Sequence, residues 1–295
     1  LNTNLFFISL LVSLRNVEGA VSPSPLLNFD LKPQEIAQAC KSAKERSEAK
    51  LGALAGLENE TRNFNNTALA FEDTLQEYAD AINGPTFPKY VSMDKTVRDA
   101  AHECEVDSEQ YSVEVYTREK LYKGLLLYAD KKESLNHQDA RLLEKILLEF
   151  KRNGFGLGPE KRAMVKKFKK KVVDLELTFG KNLNEYKDSL EVTKDQLWGL
   201  PDDFVSRLST TPTGKYIITL DYPDYFPFMD NARDGETRRQ LEFKYNIRGS
   251  TANIALFEEA IELRHQIANL MGYPTHAHYI LEDRMAKNPK RVKDF

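Results

Sequence analysis

Apolar residues recur at steps of three and four along most of this chain, and the lapses in that rhythm divide it into elements. From about Pro33 to Leu54, Ile36, Cys40 and Ala43 mark one buried helical stripe. A second helix is expected from about Thr67 to Ile82, with Leu69, Leu75, Tyr78 and Ile82 inward and Asn83-Gly84-Pro85 as its stop. A third covers about Asp94 to Glu105, and the next pattern, about Asp107 to Tyr128, carries Tyr111, Val115, Leu121, Leu125 and Leu126. A fifth runs from His137 to Arg152 on Leu142, Leu143, Ile146, Leu147 and Phe150, and Asn153-Gly154 closes it. The longest is expected from Pro159 to about Leu190, where Val165, Phe168, Val172, Leu175, Phe179 and Leu183 form a seam.

The rhythm then changes. Leu200-Pro201, Thr211-Pro212-Thr213-Gly214 and the β-branched run Lys215–Leu220 predict turns and a short strand or hairpin between Glu191 and Met229. The segment YPDYFPF, Tyr222–Phe228, reads as a loop whose aromatics anchor it onto helices. Helix resumes from about Gly235 to Tyr245. After Asn253, Ile254, Phe257, Ile261, Ile267, Leu270 and Met271 predict another helix that Gly272 ends; Pro274 restarts the chain, and Tyr279, Ile280 and Met285 lead toward Val292 and Phe295. The fold class is mostly α: an elongated multi-helix subdomain and the start of a second helical lobe, with a small β insertion around 191–229. The expected organisation is an extension or signal-like segment at 1–32, a helical subdomain at 33–190 and the start of a further domain at 191–295.

A chain of 295 residues has room for a substantial core, and its net charge of −3 argues against a dedicated nucleic-acid binder. The basic run Lys161–Lys171 is read as a solvated helix face, because Met164, Val165, Phe168 and Val172 thread an apolar stripe through it. Cys40 and Cys104 match no metal or redox spacing and suggest no disulfide framework, so a reducing compartment is expected. Against that stands Leu5–Leu14, an apolar run of signal h-region length with no basic residue before it, too short to span a bilayer. It is read here as an extension, with a secretory signal as the alternative. Asn59-Glu60-Thr61 and Asn65-Asn66-Thr67 are glycosylation-type triplets, with meaning only in a secreted protein.

Two stretches, LRHQIANLMGYPTHAHYILEDRMAKNPKRVKDF and YPDYFPFMDNARDGETRRQLEFKYNIRG, resemble the thimet oligopeptidase, neurolysin and saccharolysin family of zinc metallo-oligopeptidases. Weaker matches, FPKYVSMDKTVRDAAHE and LEKILLEFKRNGFGLGPEKRAMVKKFKKK, extend the likeness over roughly Gln34–Phe295. The resemblance implies two lobes flanking a deep channel that admits short peptides, and zinc held by an HExxH helix in the complete protein. That motif is absent from this sequence: His102 begins HECEV, where Val106 stands in place of the second histidine. The expectation is therefore a non-catalytic front part of a zinc metalloendopeptidase, inactive as given, binding no zinc itself and partnered by a missing C-terminal catalytic portion. The alternative is a non-catalytic helical peptide-binding or regulatory module. Neither nucleic acid nor a membrane is expected as a partner. The family implies a cytoplasmic location, with a mitochondrial or secretory one as alternatives.

Glu262 and His265 form one E-x-x-H pair with Glu258 a turn earlier, but a carboxylate-bridged metal site needs a second copy. His276 and His278 diverge around a helix and are poorly placed to share a metal. For substrate, the candidates are Tyr222, Tyr225, Arg238, Arg239 and Arg248, where aromatics and guanidinium groups of the kind that hold a peptide carboxylate cluster in sequence. The plainer reading is packing aromatics and interhelical ion pairs.

Overall fold

The computed structural model describes Asn28 and Asp30–Phe295; the expected extension, Leu5–Leu14 included, lies almost wholly outside the described residues. By its internal contacts the chain divides into two compact units: residues up to Asp174 together with Leu263–Phe295, and Leu175–Glu262. This is a different cut from the boundary at residue 190 drawn from composition.

The first unit is built on α1 (Pro33–Ala55), α2 (Ala70–Thr86), α3 (Pro88–Val91), α4 (Lys95–Val115), α5 (Glu119–Ala129) and α6 (His137–Arg152). Ile36, Ala43 and Leu51 of α1 meet Phe71 of α2, Ala101 and Tyr111 of α4, and Phe150 of α6 in one core. Aromatic rings tile its centre, with Phe71 and Phe150 at 5.6 Å between centroids and Tyr122 and Phe155 at 4.4 Å. Tyr111 is 1% exposed, and its hydroxyl donates to Ser47 Oγ at 3.0 Å, so the one polar atom of that ring is satisfied inside the core.

Three helix ends differ from the reading of the sequence. Asn83-Gly84-Pro85 does not stop α2, which runs through it to Thr86; Pro85 is buried in the last turn, and Thr86 Oγ1 donates to the Ile82 carbonyl at 3.0 Å. A proline this close to a helix end removes only the bond to the Ala81 carbonyl, and the Thr86 hydroxyl adds a bond one residue on, at Ile82. The break expected near residue 106 falls instead at Tyr116–Arg118, because α4 is continuous to Val115 and Arg118, in extended conformation, starts α5. Thr117 Oγ1 returns to the carbonyls of Val113 and Glu114 and closes the earlier helix there.

The cysteines also depart from the expectation of a chain without a disulfide. Cys40 on α1 and Cys104 on α4 form a disulfide, with Cα atoms 5.9 Å apart. Their separation of 64 residues hid the pairing; helix packing brings them together, 9% and 4% exposed, inside the core.

The chain passes into the second unit along α7 (Pro159–Glu185) and then forms β1 (Ser189–Val192), α8 (Asp202–Ser206), β2 (Tyr216–Thr219), α9 (Tyr222–Asn231), α10 (Gly235–Asn246) and α11 (Ser250–Leu270). Helix α7 therefore stops before Leu190, which pairs with Ile218 in the antiparallel ladder Ser189↔Thr219 to Val192↔Tyr216. Val192, Leu197, Phe204, Ile218, Phe228 and Leu241 form this unit's own core.

YPDYFPF is not a loop. Pro223 sits in the first turn of α9, where a missing N–H costs nothing, and Pro227 lies inside the helix. Asn231 Nδ2 donates to the Pro227 carbonyl at 2.8 Å and closes the last turn.

On α11 the expected apolar stripe is partly out of phase. Ile254, Phe257 and Ile261 are 58%, 46% and 49% exposed, whereas Asn253, Ala260, Ile267 and Ala268 are buried. Asn253 holds the phase: its Nδ2 donates to the Phe179 carbonyl at 3.2 Å, and its Oδ1 accepts from Asn182 Nδ2 at 2.8 Å. As expected from Gly272, α11 ends in a left-handed residue, φ +87°, with the Tyr273 N–H bonded back to the Ala268 carbonyl at 2.9 Å. Then α12 (His276–Leu281) and α13 (Pro289–Asp294) follow, each started by a side-chain cap, Thr275 and Asn288.

Candidate functional site

Two places in the second unit collect the residues singled out from sequence. The first is a stack across α9 and α10. Tyr225, 8% exposed, lies face to face with Tyr245, centroids 3.8 Å apart at 17°, and the Arg248 guanidinium covers the Tyr245 ring at 3.7 Å. Arg248 Nε donates to the Tyr245 carbonyl at 2.9 Å, which fixes the side chain over the ring. Tyr222, 62% exposed, and Phe226, 46% exposed, meet edge to face at 5.1 Å beside this stack. Burial raises the Tyr225 and Tyr245 hydroxyls above the usual phenol range, so both stay neutral hydrogen-bonding groups at physiological pH.

Two exposed rings stand beside a cation held on an inner ring. The rings offer apolar area with little rotamer freedom to lose, and the guanidinium offers charge to a carboxylate.

The second place is a recess of about 460 Å³ lined by Gly199, Met229–Arg233 and Arg238. Arg238 reaches it from α10 and donates to the Ala232 carbonyl. The Arg233 N–H donates to the Trp198 carbonyl at 2.9 Å, and Trp198 itself is 73% exposed beside Gly199. Helix α10 is set by Asp234, whose Oδ1 accepts the N–H of Glu236 at 3.0 Å and whose Oδ2 accepts the Thr237 hydroxyl at 2.9 Å. The Thr237 hydroxyl and the capped N–H groups hold the Asp234 carboxyl below its ordinary range.

Arg239 belongs to neither place. It makes a two-pronged pair with Glu236 on its own helix, Nε–Oε2 at 2.8 Å and Nη2–Oε1 at 2.6 Å. That pair, with Gln240, lowers the Glu236 carboxyl to about 2. Five expected residues thus divide three ways: Tyr222, Tyr225 and Arg248 together, Arg238 at the recess, Arg239 in a local ion pair. Sequence reading missed Tyr245, the centre of the stack, although its place three residues before Arg248 near a helix end was visible. It also missed Trp198 and Arg233, which carry no local signal.

Residues 228–295 match peptidase family M3. The chain is 28% identical to saccharolysin of Saccharomyces cerevisiae over 303 aligned positions, covering 99% of this chain and 42% of the yeast protein. It is 29% identical to a thimet-like oligopeptidase of Dictyostelium discoideum, covering 91% of this chain and 41% of that protein. Oligopeptidase A of Escherichia coli is 27% identical over 63% of this chain. The chain is related to the M3 peptidases.

It spans about two fifths of the length of the saccharolysin and thimet-like relatives. The M3 match starts inside α9 and takes in Arg238, Arg239, Tyr245 and Arg248, leaving Tyr222 and Tyr225 just ahead of it.

Two of the three histidines in the M3 stretch have local side-chain partners. His265 Nε2 lies 2.9 Å from Asn269 Nδ2, and His278 Nδ1 lies 2.8 Å from the Thr275 hydroxyl. His276 is half-buried, and burial first and then the Arg264 charge lower it below the usual imidazole range. Among the described residues no three His, Cys, Asp or Glu side chains converge as a metal would require, so these residues do not fit a catalytic zinc. In the basic run, Arg162 pairs with Glu119 at 3.1 Å, Lys169 donates to Asn153 Oδ1 at 2.7 Å and Lys170 pairs with Glu114 at 2.5 Å.

Proposed function

We propose that this chain is part of an M3-type zinc metallo-oligopeptidase that hydrolyses short peptides. In this reading 33–190 is a helical subdomain, 191–295 begins the peptidase domain, and both shape the substrate path, while zinc is held by residues of the protein outside this chain. The observation that carries the reading is the M3 match at 228–295, extended by the saccharolysin similarity over 99% of the chain. Tyr222, Tyr225 and Arg248 are the proposed peptide contacts, with Tyr245 as the ring that holds Arg248 in place; Arg238 acts from the recess.

In the complete protein, zinc would polarise the scissile carbonyl and the attacking water. The part proposed for these residues is binding: the aromatic pair covers a peptide side chain, and Arg248 attracts its carboxylate. The family resemblance by itself favours a cytoplasmic location, with the mitochondrion and the secretory pathway as alternatives, and the Cys40–Cys104 disulfide weighs toward the last of these. Among the described residues no helix is long and apolar enough to cross a membrane.

The test compares residues 1–295 with the complete gene product on quenched fluorogenic peptides. Chelator-sensitive cleavage is expected from the complete product only, with Arg248→Ala raising KM more than it lowers kcat. Chelator-sensitive cleavage by 1–295 alone would overturn the placement of zinc outside this chain. Absence of cleavage by the complete product would overturn the peptidase reading.

A further inference from the structure

The disulfide and the turn that follows α1 point away from a reducing compartment. Cys40 and Cys104 sit on facing helices with Cα atoms 5.9 Å apart, well within the spacing a disulfide needs. Such bonds persist where thiols are kept oxidised. Four residues beyond α1 lies the triplet Asn59-Glu60-Thr61, a single 3-10 turn with all three residues exposed.

The turn is tied down from beneath. Arg62, 6% exposed, donates to the carbonyls of Leu54 at 3.2 Å and Leu57 at 2.8 Å; Lys131 reaches the carbonyls of Glu60 and Arg62; Asn66 Nδ2 donates to the Thr61 carbonyl at 2.8 Å. All these anchors hold backbone. The Asn59 carboxamide takes part in none of them and is exposed, so a bulky group on it breaks none of these bonds.

We infer that Asn59 carries an N-linked oligosaccharide, on a chain that matures in an oxidising lumen where Cys40 and Cys104 are joined. The carboxamide nitrogen of Asn59 attacks C1 of a lipid-pyrophosphate-linked oligosaccharide. The N–C1 bond forms, the C1–O bond breaks, the lipid pyrophosphate leaves and the amide gives up one proton. The Thr61 hydroxyl supplies the third position that the acceptor triplet requires. Joining the two thiols releases two protons and two electrons, which reduce the disulfide of a thiol–disulfide oxidoreductase. The apolar run Leu5–Leu14 has the length of the segments that deliver chains to such a lumen.

Asn65-Asn66-Thr67 is the weaker of the two triplets in the fold. It forms the π-helical start that leads without a break into α2, Thr67 is 1% exposed, and Asn66 is engaged with Asn63 and Thr61.

The experiment takes the full-length protein from its source cells under thiol-blocking conditions and digests it with and without peptide N-glycosidase. Mass spectrometry is expected to find the Asn59 peptide only after the glycosidase, read as aspartate at that position, and to find the Cys40 and Cys104 peptides linked until reduction. A bare Asn59 peptide before the glycosidase, whether or not the cysteines are linked, overturns the glycan, as does modification at Asn65 alone. Expression of the full chain through a secretory host adds a control independent of folding. Thr61→Ala should lose the glycan completely and Thr61→Ser should keep it; a glycan retained in Thr61→Ala overturns the assignment.

Discussion

Arg152 and Tyr279 grip each other three ways: the guanidinium lies over the ring at 4.0 Å, Arg152 Nη1 donates to the Tyr279 carbonyl at 2.8 Å, and the Tyr279 hydroxyl donates to the Arg152 carbonyl at 2.9 Å. Beside them Lys145 of α6 pairs with Asp283. The last residue of α6 and a residue of α12 thus fasten Leu263–Phe295 into the first unit. Arg152→Ala is expected to destabilise that unit by about 2 kcal/mol, because a charged hydrogen bond and a cation–π contact go together. Tyr279→Phe, losing only the hydroxyl, should cost about 1 kcal/mol. A double-mutant cycle of Arg152→Ala with Tyr279→Leu by urea denaturation measures the coupling of guanidinium and ring; additive effects would show that the ring contact contributes nothing measurable.

The Cys40–Cys104 bond closes a loop of 64 residues, and constraining the unfolded chain by that much stabilises the first unit by about 4 kcal/mol on the chain-entropy account. The double substitution to alanine should therefore lower the denaturation midpoint of that unit far more than any surface change. The reduced protein should match it. A midpoint unchanged by reduction, with both thiols shown to be free afterwards, would contradict the bond as a stabilising element.

Glu48 offers a pH-dependent contact. Arg118 holds it with two prongs, Nη1–Oε2 at 3.0 Å and Nη2–Oε1, and this hydrogen bond, ahead of other contributions, lowers the Glu48 carboxyl below its ordinary 4.5. A carboxyl lowered in the folded state binds fewer protons than in the unfolded one, so the stabilisation is complete above 4.5 and is lost as pH falls through the lower folded value. The Glu48 side chain is 42% exposed, so solvent screening limits the effect to less than about 1 kcal/mol. Urea midpoints followed from neutral pH into acid should fall less steeply for Glu48→Gln than for the parent chain. Parallel curves would show that the pair contributes nothing measurable.

Where a segment's own rhythm decided its structure, the sequence was readable: His137–Arg152 is α6 to the residue. It was misread where packing overrode local propensity. Pro85 and Pro227 lie inside helices although each lacks an N–H for the ladder, close to helix ends where the Thr86 and Asn231 side chains bond nearby carbonyls, and Pro223 takes a first-turn position that needs no N–H. On α11 a buried asparagine, Asn253, rather than the larger apolar residues beside it, sets the inward face, and no hydropathy pattern announces that. The site was visible as a composition of Tyr and Arg but not as an arrangement, because the Tyr225–Tyr245–Arg248 stack exists only once YPDYFPF is helical. Arg239 was the reverse case: its partner Glu236 stands three residues away, a spacing local enough to have been read.

Gly199 is where the recess depends most on a missing side chain. It holds φ +99°, and a Cβ there would stand 2.4 Å from the Asn231 carbonyl oxygen and 2.8 Å from Arg233 Cγ. The first contact is with backbone, which cannot swing aside, and the Arg233 N–H bond to Trp198 pins the same strand of chain. Gly199→Ala should therefore destabilise the second unit by more than about 2 kcal/mol, from the left-handed conformation and the clash together. Gly214, at φ +80° with nothing within 4 Å of its would-be Cβ, isolates the conformational part, and its alanine variant should cost only about 1 kcal/mol. If the two variants unfold at the same denaturant concentration, the approach of Asn231 to Gly199 is not tight, and the recess does not require a glycine at its wall.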